Sequence, residues 1–474
     1  MGDNAVKKIG VKKGLSLLMT VLIAFAGLAG CSRSSGENAS NAPKAATGSP
    51  AASEPAVTIK FWSYPKWNGI TGKEPNGTLG DWEADAAKRF MALHPNVKIE
   101  TEFLNAKGGP EKVAIAIQSN SVPDVLGDSD IRLFEYAQKG LTVPIGDYLD
   151  ADYIADYHEN VWKQTTIGDG KHYYLPWSVS PQILMVNRTL FKQAGADDLL
   201  PKNKERTWTI EEFESAIRTV SSKLKGVYGV GMFGDTTSGD AFLLNWIWSF
   251  GARTFDPTYS KIALNNEKGL AGMKFLQKLV TDGLANPGAA GIKQADALTL
   301  FNQQKVLTIQ GATLQYARTA SAMKLGELNK FELYVTTPPN AKGEQPTSFM
   351  TTYGYGVFKN TDANKQKWAI EFAKFLGSKE NAAAVKASES LSTRKSMDNM
   401  YNDSDDENTK FAAQVTQYAV DGGLASPGFN KQRAIFSKQL QAMFTGAATP
   451  EQALKKFEEE ANKAIAEEIA KLKK

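Results

Sequence analysis

A strand, a helix and a second strand follow one another from residue 57, and that succession restricts the fold more than any other feature of the chain. Val57-Thr58-Ile59-Lys60-Phe61-Trp62 alternates apolar and polar residues with period two, and Val97-Lys98-Ile99-Glu100 does so again. Between them, residues 81–93 carry acids in the first turn and bases later, and His94-Pro95 supplies a stop, the pattern of an amphipathic helix. A βαβ unit requires two parallel strands with the helix laid across the sheet, so the chain belongs to the α/β class. Val122-Pro123-Asp124-Val125-Leu126 reads as a third strand after a helix over 111–120, and another helix is expected near 131–139.

The pattern continues to the C-terminus. Thr209-Ile210-Glu211-Glu212 is a capping box, followed by an apolar face of Phe213, Ala216, Ile217, Val220 and Leu224. Residues 269–282 and 365–376 read as helices of the same kind. Thr449-Pro450-Glu451-Gln452 is a second capping box, with proline at the first helical position, opening a long helix through Phe457 to Leu472. There is no fixed-period repeat, which argues against a solenoid or propeller. A body running from 57 to 474 is better divided into two lobes than packed around one core.

The front of the chain reads as an address. Lys7, Lys8, Lys12 and Lys13 precede a largely apolar stretch over 15–29, and small residues surround Gly30-Cys31, as in a secretory signal. An uncleaved membrane anchor is the alternative, although the stretch is short for a permanent span. Leu28-Ala29-Gly30-Cys31 resembles the lipobox of bacterial lipoproteins, in which the cysteine, Cys31, is lipidated and becomes the new N-terminus. Residues 32–56 are rich in Ser, Ala, Asn, Gly and Pro, a composition that forms a flexible tether.

Composition excludes several functions. Without the first 13 residues the chain has 51 basic and 50 acidic residues, a near-neutral body with no basic run, which argues against nucleic acid as a partner. A single cysteine rules out an intramolecular disulfide and any multi-cysteine metal site. No phosphate loop, dinucleotide fingerprint, zinc-protease motif or serine-hydrolase elbow occurs, and His94, His158 and His172 are widely separated, so neither metal nor cofactor is expected. Asp403-Ser404-Asp405-Asp406-Glu407 is closer to a solvated acidic loop than to a calcium loop, which would need a turn glycine and a closing glutamate where Gln414 stands. The supply of Asp and Glu leaves a two-carboxylate glycosidase as the enzyme alternative, but nothing in the sequence pairs any two of them.

Nine tryptophans and fifteen tyrosines are informative by position. Trp62 and Tyr64 end the first strand, Trp67 lies just beyond, Trp177 follows a strand, and Tyr353 and Tyr355 flank a glycine. Ligands bind outside the carboxyl ends of parallel strands, where such rings emerge, and aromatic faces suit the C–H faces of pyranose rings. Trp246 and Trp248 point to different sides of one helix, and Trp246 is balanced between lining a site and packing in the core. Trp162, Trp208 and Trp368 sit in amphipathic patterns and read as core.

Together these segments resemble extracellular solute-binding protein family 1, the lipid-anchored receptors of bacterial ABC importers for sugars. The resemblance runs from Val57 to the C-terminus. It rests on the first strand, on Phe90–Glu100 as helix, proline and second strand, and on Val122-Pro123-Asp124-Val125. It continues through Gly140–Ile145 before Asp147-Tyr148-Leu149, Tyr174-Leu175-Pro176-Trp177, Met185–Phe191, and Asn302–Ile309. Three features depart from the family pattern. Gln304 replaces a common glycine, Asn187 follows Val186 where an aromatic is frequent, and the loop over 63–80 is long.

The resemblance implies a two-lobed periplasmic-binding-protein-like fold. Each lobe would be a mainly parallel sheet flanked by helices, and the two would be joined by three crossing strands near 177–180, 349–353 and 390–394. Residues 57–177 with 350–390 would form the N-lobe, and 178–349 with 391–474 the C-lobe. Trp62, Tyr64 and Asp128 would face the cleft from the N-lobe, Trp246, Gln310 and Arg394 from the C-lobe, with Trp177 and Tyr353 near the hinge. The expected function is capture of a sugar, an oligosaccharide in the first instance, by a monomeric receptor at the outer face of the bacterial membrane, for delivery to ABC transporter permease subunits. Receptors for other solutes remain the second alternative. Arg394, Lys66 and Lys171 read equally as partners for a uronate or as surface charges.

Overall fold

β1 (Val57–Ser63) forms on the alternation seen in the sequence: Ile59, Phe61 and Ser63 are buried while Thr58 and Lys60 are exposed. The computed structural model describes residues 54–105, 108–235, 239–312 and 331–472, and gathers Glu54–Lys474 into a single unit. The signal segment, Cys31 and nearly all of the tether lie outside the described residues. β1 pairs in parallel with β2 (Val97–Phe103) and with β3 (Val125–Ser129). The Asp81–Leu93 helix crosses between β1 and β2, placing Trp82, Ala86 and Phe90 against the sheet. Phe90 and Phe61 each meet Phe372, at 5.1 and 5.2 Å between ring centroids. Burial of each such ring contributes about 1.5–3 kcal/mol.

The third strand starts later than the sequence pattern suggests. Val122 and Pro123 lie before it, because a proline lacks the N–H that a central strand needs between two neighbours. Asp124 instead accepts a hydrogen bond from the Lys60 backbone N–H at 2.7 Å. Both capping boxes form: Thr209 and Glu212 satisfy each other's backbone, and so do Thr449 and Gln452.

The first sheet is completed by β4 (Tyr174–Pro181), β9 (Ser348–Val357), β10 (Leu391–Ser392) and β11 (Ala419–Val420), in the order β10-β4-β9-β3-β1-β2 with β11 also on β9. The second sheet has the order β6-β7-β5-β8, built from β5 (Ile183–Asn187), β6 (Tyr228–Gly231), β7 (Val306–Ala312) and β8 (Leu333–Thr336). This is the two-lobed α/β architecture. The sheets are mixed rather than mainly parallel. β9 is antiparallel to both β3 and β4, β10 is antiparallel to β4, and β5 is antiparallel to both β7 and β8. A chain that leaves one sheet along β4 and returns along β9 must run those strands in opposite directions.

The three segments expected to cross lie side by side. Ser178 of β4 pairs with Ser392 of β10 on one flank and with Tyr353 of β9 on the other. Two departures from the family pattern also acquire a structural sense. Gln304 has φ +58°, the left-handed conformation that favours glycine, and Asn187 caps the Arg188–Gln193 helix by accepting from the Leu190 N–H. Among the described residues no helix is long and apolar enough to cross a membrane.

Candidate functional site

Where β4 passes into β5 and β8 returns into β9, the chain leaves a cavity of about 180 Å³ reached from both sheets. Its floor is the crossing segments themselves: Ser180, Gln182, Phe349 and Thr351. Ile131 enters from the Asp130–Gln138 helix beside the first sheet. The opposite wall consists of Ala241 and Phe242 on the Gly239–Trp248 helix, Gly311 on β7, and Phe429 and Arg433 on the Phe429–Phe444 helix. A neighbouring groove of about 290 Å³ shares Ile131 and Phe429 with this cavity. A roomier depression of about 570 Å³ beside Trp208 is built from residues 198–215 alone and lacks the contribution of two lobes.

The chemistry of the cavity is that of aromatic platforms with a few fixed polar groups. Phe242, Phe349 and Phe429 supply rings. Arg433 supplies a guanidinium held in a fork by Asp240, with Nε donating to Oδ2 at 2.7 Å and Nη2 to Oδ1 at 3.0 Å. Asp240 is fully buried, so the fork has a fixed base. Gln182 is buried and its Oε1 accepts no hydrogen bond from the described residues. Gly311 is where β7 slips register against β5, and its φ of +109° is a conformation open to glycine. A Cβ there would stand 2.6 Å from the Phe242 ring, so the glycine lets that ring lie against the strand.

Next to this cavity the first sheet ends in a polar cluster. Asp128 closes β3 fully buried, and Arg132 donates to it from one turn along the helix, Nε lying 2.8 and 2.9 Å from the two carboxylate oxygens. The same guanidinium lies 4.8 Å from the Tyr64 ring centre. Tyr64 Oη is buried without a partner, and burial, helped by the Asp128 charge, pushes its pKa up to about 12. The Lys66 ammonium reaches 4.7 Å from the Tyr353 ring, and loss of hydration there lowers its pKa. Asp130, also buried, accepts from the Thr352 N–H of β9 at 2.5 Å and from its hydroxyl at 3.2 Å; burial raises its pKa to about 6. The Tyr353 hydroxyl meets Ser63 Oγ at 2.9 Å, and a Cβ on Gly127 would stand 2.5 Å from that hydroxyl.

Tyr64, Asp128, Tyr353 and Lys66 are therefore brought together, with Trp177 edge-on to the Tyr353 ring at 6.2 Å between centroids, and the remaining residues singled out from the sequence fall elsewhere. Trp62 lies on the face of β1 opposite Ser63, with the Lys112 ammonium 4.9 Å from its ring. Trp177 is buried beneath the long loop, stacked on Trp67 at 5.7 Å and close to Trp82 at 5.1 Å. Trp246 packs between Phe213 and Phe275 with 2% of its surface exposed. Gln310 is buried on β7, and neither amide atom has a hydrogen-bond partner among the described residues.

Arg394 is buried between Tyr153 and Tyr157, its guanidinium 4.4 and 4.5 Å from their ring centres. It donates to the Gly377 carbonyl at 3.0 Å and to Asp156 at 3.2 Å. Lys171 is exposed and paired with Asp147. Asp403 pairs with Lys386 and Asp406 caps the Glu407–Gln414 helix, which accounts for two acids of the loop. Phe242, Phe429, Arg433 and Gln182 were not singled out by the sequence, where each is an ordinary helix or strand residue.

Comparison with known proteins is consistent across sequence and structure. Residues 76–383 match the family model described as bacterial extracellular solute-binding protein. A diacetylchitobiose binding protein of Streptomyces coelicolor is 29% identical over 143 residues, which cover 30% of this chain and 31% of that one. The sn-glycerol-3-phosphate-binding periplasmic protein of Pectobacterium atrosepticum is 23% identical over 436 residues, 87% of this chain and 92% of that one. Among solved structures, the cyclic alpha-maltosyl-1,6-maltose binding protein of Arthrobacter globiformis superposes with a TM-score of 0.72 at 18% identity, covering 86% of this chain and 99% of that one.

Proposed function

Because the chain belongs to the bacterial extracellular solute-binding protein family, we propose that it captures a sugar, an oligosaccharide, in the cavity between its two sheets and delivers it to the permease of an ABC importer. The observation that carries this reading is the lining: three phenylalanine rings, an amide and a guanidinium held in its fork, contributed by β9, by the link between β4 and β5 and by two helices of the opposite wall. Rings offer faces to pyranose C–H groups, and the polar groups fix hydroxyl positions. Two of the three relatives described above are named for oligosaccharide binding, which supports the same class. The family consists of binding proteins rather than enzymes.

Residues 57–177 with 350–390 act as one lobe and 178–349 with 391–474 as the other. Closure is a rotation about the paired segments of β4, β9 and β10, bringing Ile131 and the polar cluster of Asp128 and Arg132 toward Phe242, Phe429 and Arg433. Tyr64 and Tyr353 shape the N-lobe side of that cluster. Lipidation at Cys31 and the tether over 32–56 keep a monomeric receptor at the outer face of the membrane, within reach of the permease.

A thermal-shift screen of the full chain against oligosaccharides tests the reading, with chromatography of each recovered ligand. The expected result is stabilisation of about 2.7 kcal/mol at a hundred times the dissociation constant, with the sugar recovered intact. Recovery of cleaved sugar would replace the receptor with a carbohydrate-active enzyme. Absence of any shift from sugars, with a shift from another solute class, would overturn the substrate.

A further inference from the structure

Among the described residues, every charge that lines the cavity or stands in the polar cluster beside it has an opposite charge close by. Arg433 is the one ionised side chain among the described lining residues, and it is gripped by the buried Asp240. In the polar cluster beside the cavity, Arg132, next in sequence to the lining residue Ile131, is gripped by the buried Asp128. The third cation, Lys66, lies over the Tyr353 ring and within the fields of both Asp128 and Asp130. Three cations thus face three carboxylates.

The unpaired atom of the cavity floor has the opposite character. Gln182 Oε1 is buried in the floor of the cavity and has no donor among the described residues. An acceptor in that position is satisfied by an O–H or N–H of the ligand, which a phosphate or carboxylate group does not bring.

From this arrangement we infer that the cavity selects an uncharged, hydroxyl-rich ligand and rejects anionic ones, with Asp240 and Asp128 as specificity-determining residues that cancel the guanidinium charges of Arg433 and Arg132. The inference rests on the receptor reading above and narrows it. A carboxylate that grips a guanidinium through its fork occupies the donors that would otherwise take a phosphate. It also places its own negative charge where an anionic ligand would meet it. The guanidinium thereby loses its net attraction for anions.

The test is calorimetric titration of the full chain with neutral probes (maltotriose and diacetylchitobiose) and with anionic ones (sn-glycerol-3-phosphate and a glucuronate-terminated disaccharide). A neutral sugar is expected to bind at least about tenfold more tightly than either anion. Its affinity should be nearly unchanged between low and high salt, since no net charge is being screened. Tighter binding of an anionic probe, weakening as salt rises, would overturn the inference while leaving a solute receptor in place. Failure of every probe, neutral and anionic, to bind would overturn both. In Asp240→Asn and Asp128→Asn, each uncovering a guanidinium, affinity for the anionic probes should rise by about tenfold or more. A folded variant with no such gain would remove that residue from the specificity role, and the comparison of probes on the unsubstituted chain decides the inference if neither variant folds.

Discussion

Replacing Arg394 with methionine separates a ligand-binding role from a structural one. The residue is 3% exposed, and its guanidinium donates to the Gly377 carbonyl, to Asp156 and to the Tyr157 hydroxyl while lying between two tyrosine rings. Methionine fills a similar volume, so the cavity contribution is small. What is lost is a set of charged hydrogen bonds, worth about 1.5–3 kcal/mol each in favourable cases, and the attraction of the cation for two rings. Asp156 keeps Ser396 as a partner and some contact with water, which limits the damage on that side. The expected destabilisation is about 3 kcal/mol, at the lower end of the range for removing one partner of a buried pair. It should be read as a lowered urea midpoint with an unchanged slope. Arg394→Lys should fall between the two, since it keeps the charge but not the fork. Sugar affinity of the folded variants should stay within about threefold of the original. A stability change below about 1 kcal/mol with binding abolished would refute the structural assignment and return Arg394 to the ligand.

Three further outcomes follow from single residues. Glu83 is buried beside Ser63, and burial raises its carboxyl from near 4.5 to about 7. The folded chain therefore holds that proton more tightly than the unfolded one, and the associated stability, about 3 kcal/mol, is complete below pH 4.5 and lost as pH rises through 7. Glu83→Gln should flatten the stability profile over that interval, and an unchanged profile in urea unfolding would count against a buried, proton-binding Glu83. Gln304→Gly should raise stability by up to about 1 kcal/mol by relieving a left-handed non-glycine residue, and a loss would mean that the Asn187 contact outweighs the strain. Gly311→Ala should weaken sugar binding by about tenfold or more, since its Cβ forces the Phe242 ring away from β7. Unchanged affinity in calorimetry would show that this ring takes no part.

The fold was legible wherever the signal is local. The helix over 81–93, its flanking strands and both capping boxes depend on residues a few positions apart, and period and end signals reported them. The mixed sheets were less visible, because antiparallel pairing of β4 with β9 joins residues far apart in sequence, and a single chain does not display such pairs. The same distance hid the cavity. Arg433 and Asp240 meet across 193 positions, and neither stands out from its own helix. The Gly239–Trp248 helix is apolar on nearly all sides, so nothing in its pattern distinguishes Phe242, which lines the cavity, from Trp246, one turn deeper in the lobe. Arg394 drew attention as a charge beside a crossing segment, and its burial comes from Tyr153, Tyr157 and Gly377, none of them near it in sequence.

Hydrogen exchange of the full chain with and without a bound oligosaccharide is the most direct test of capture between the sheets. The account predicts added protection on both sides of the cavity, around Ile131 and 180–182 and 349–351 as well as around Phe242, Gly311 and 429–433, because closure shields both walls at once. Protection confined to one sheet, or centred on the depression beside Trp208, would contradict it.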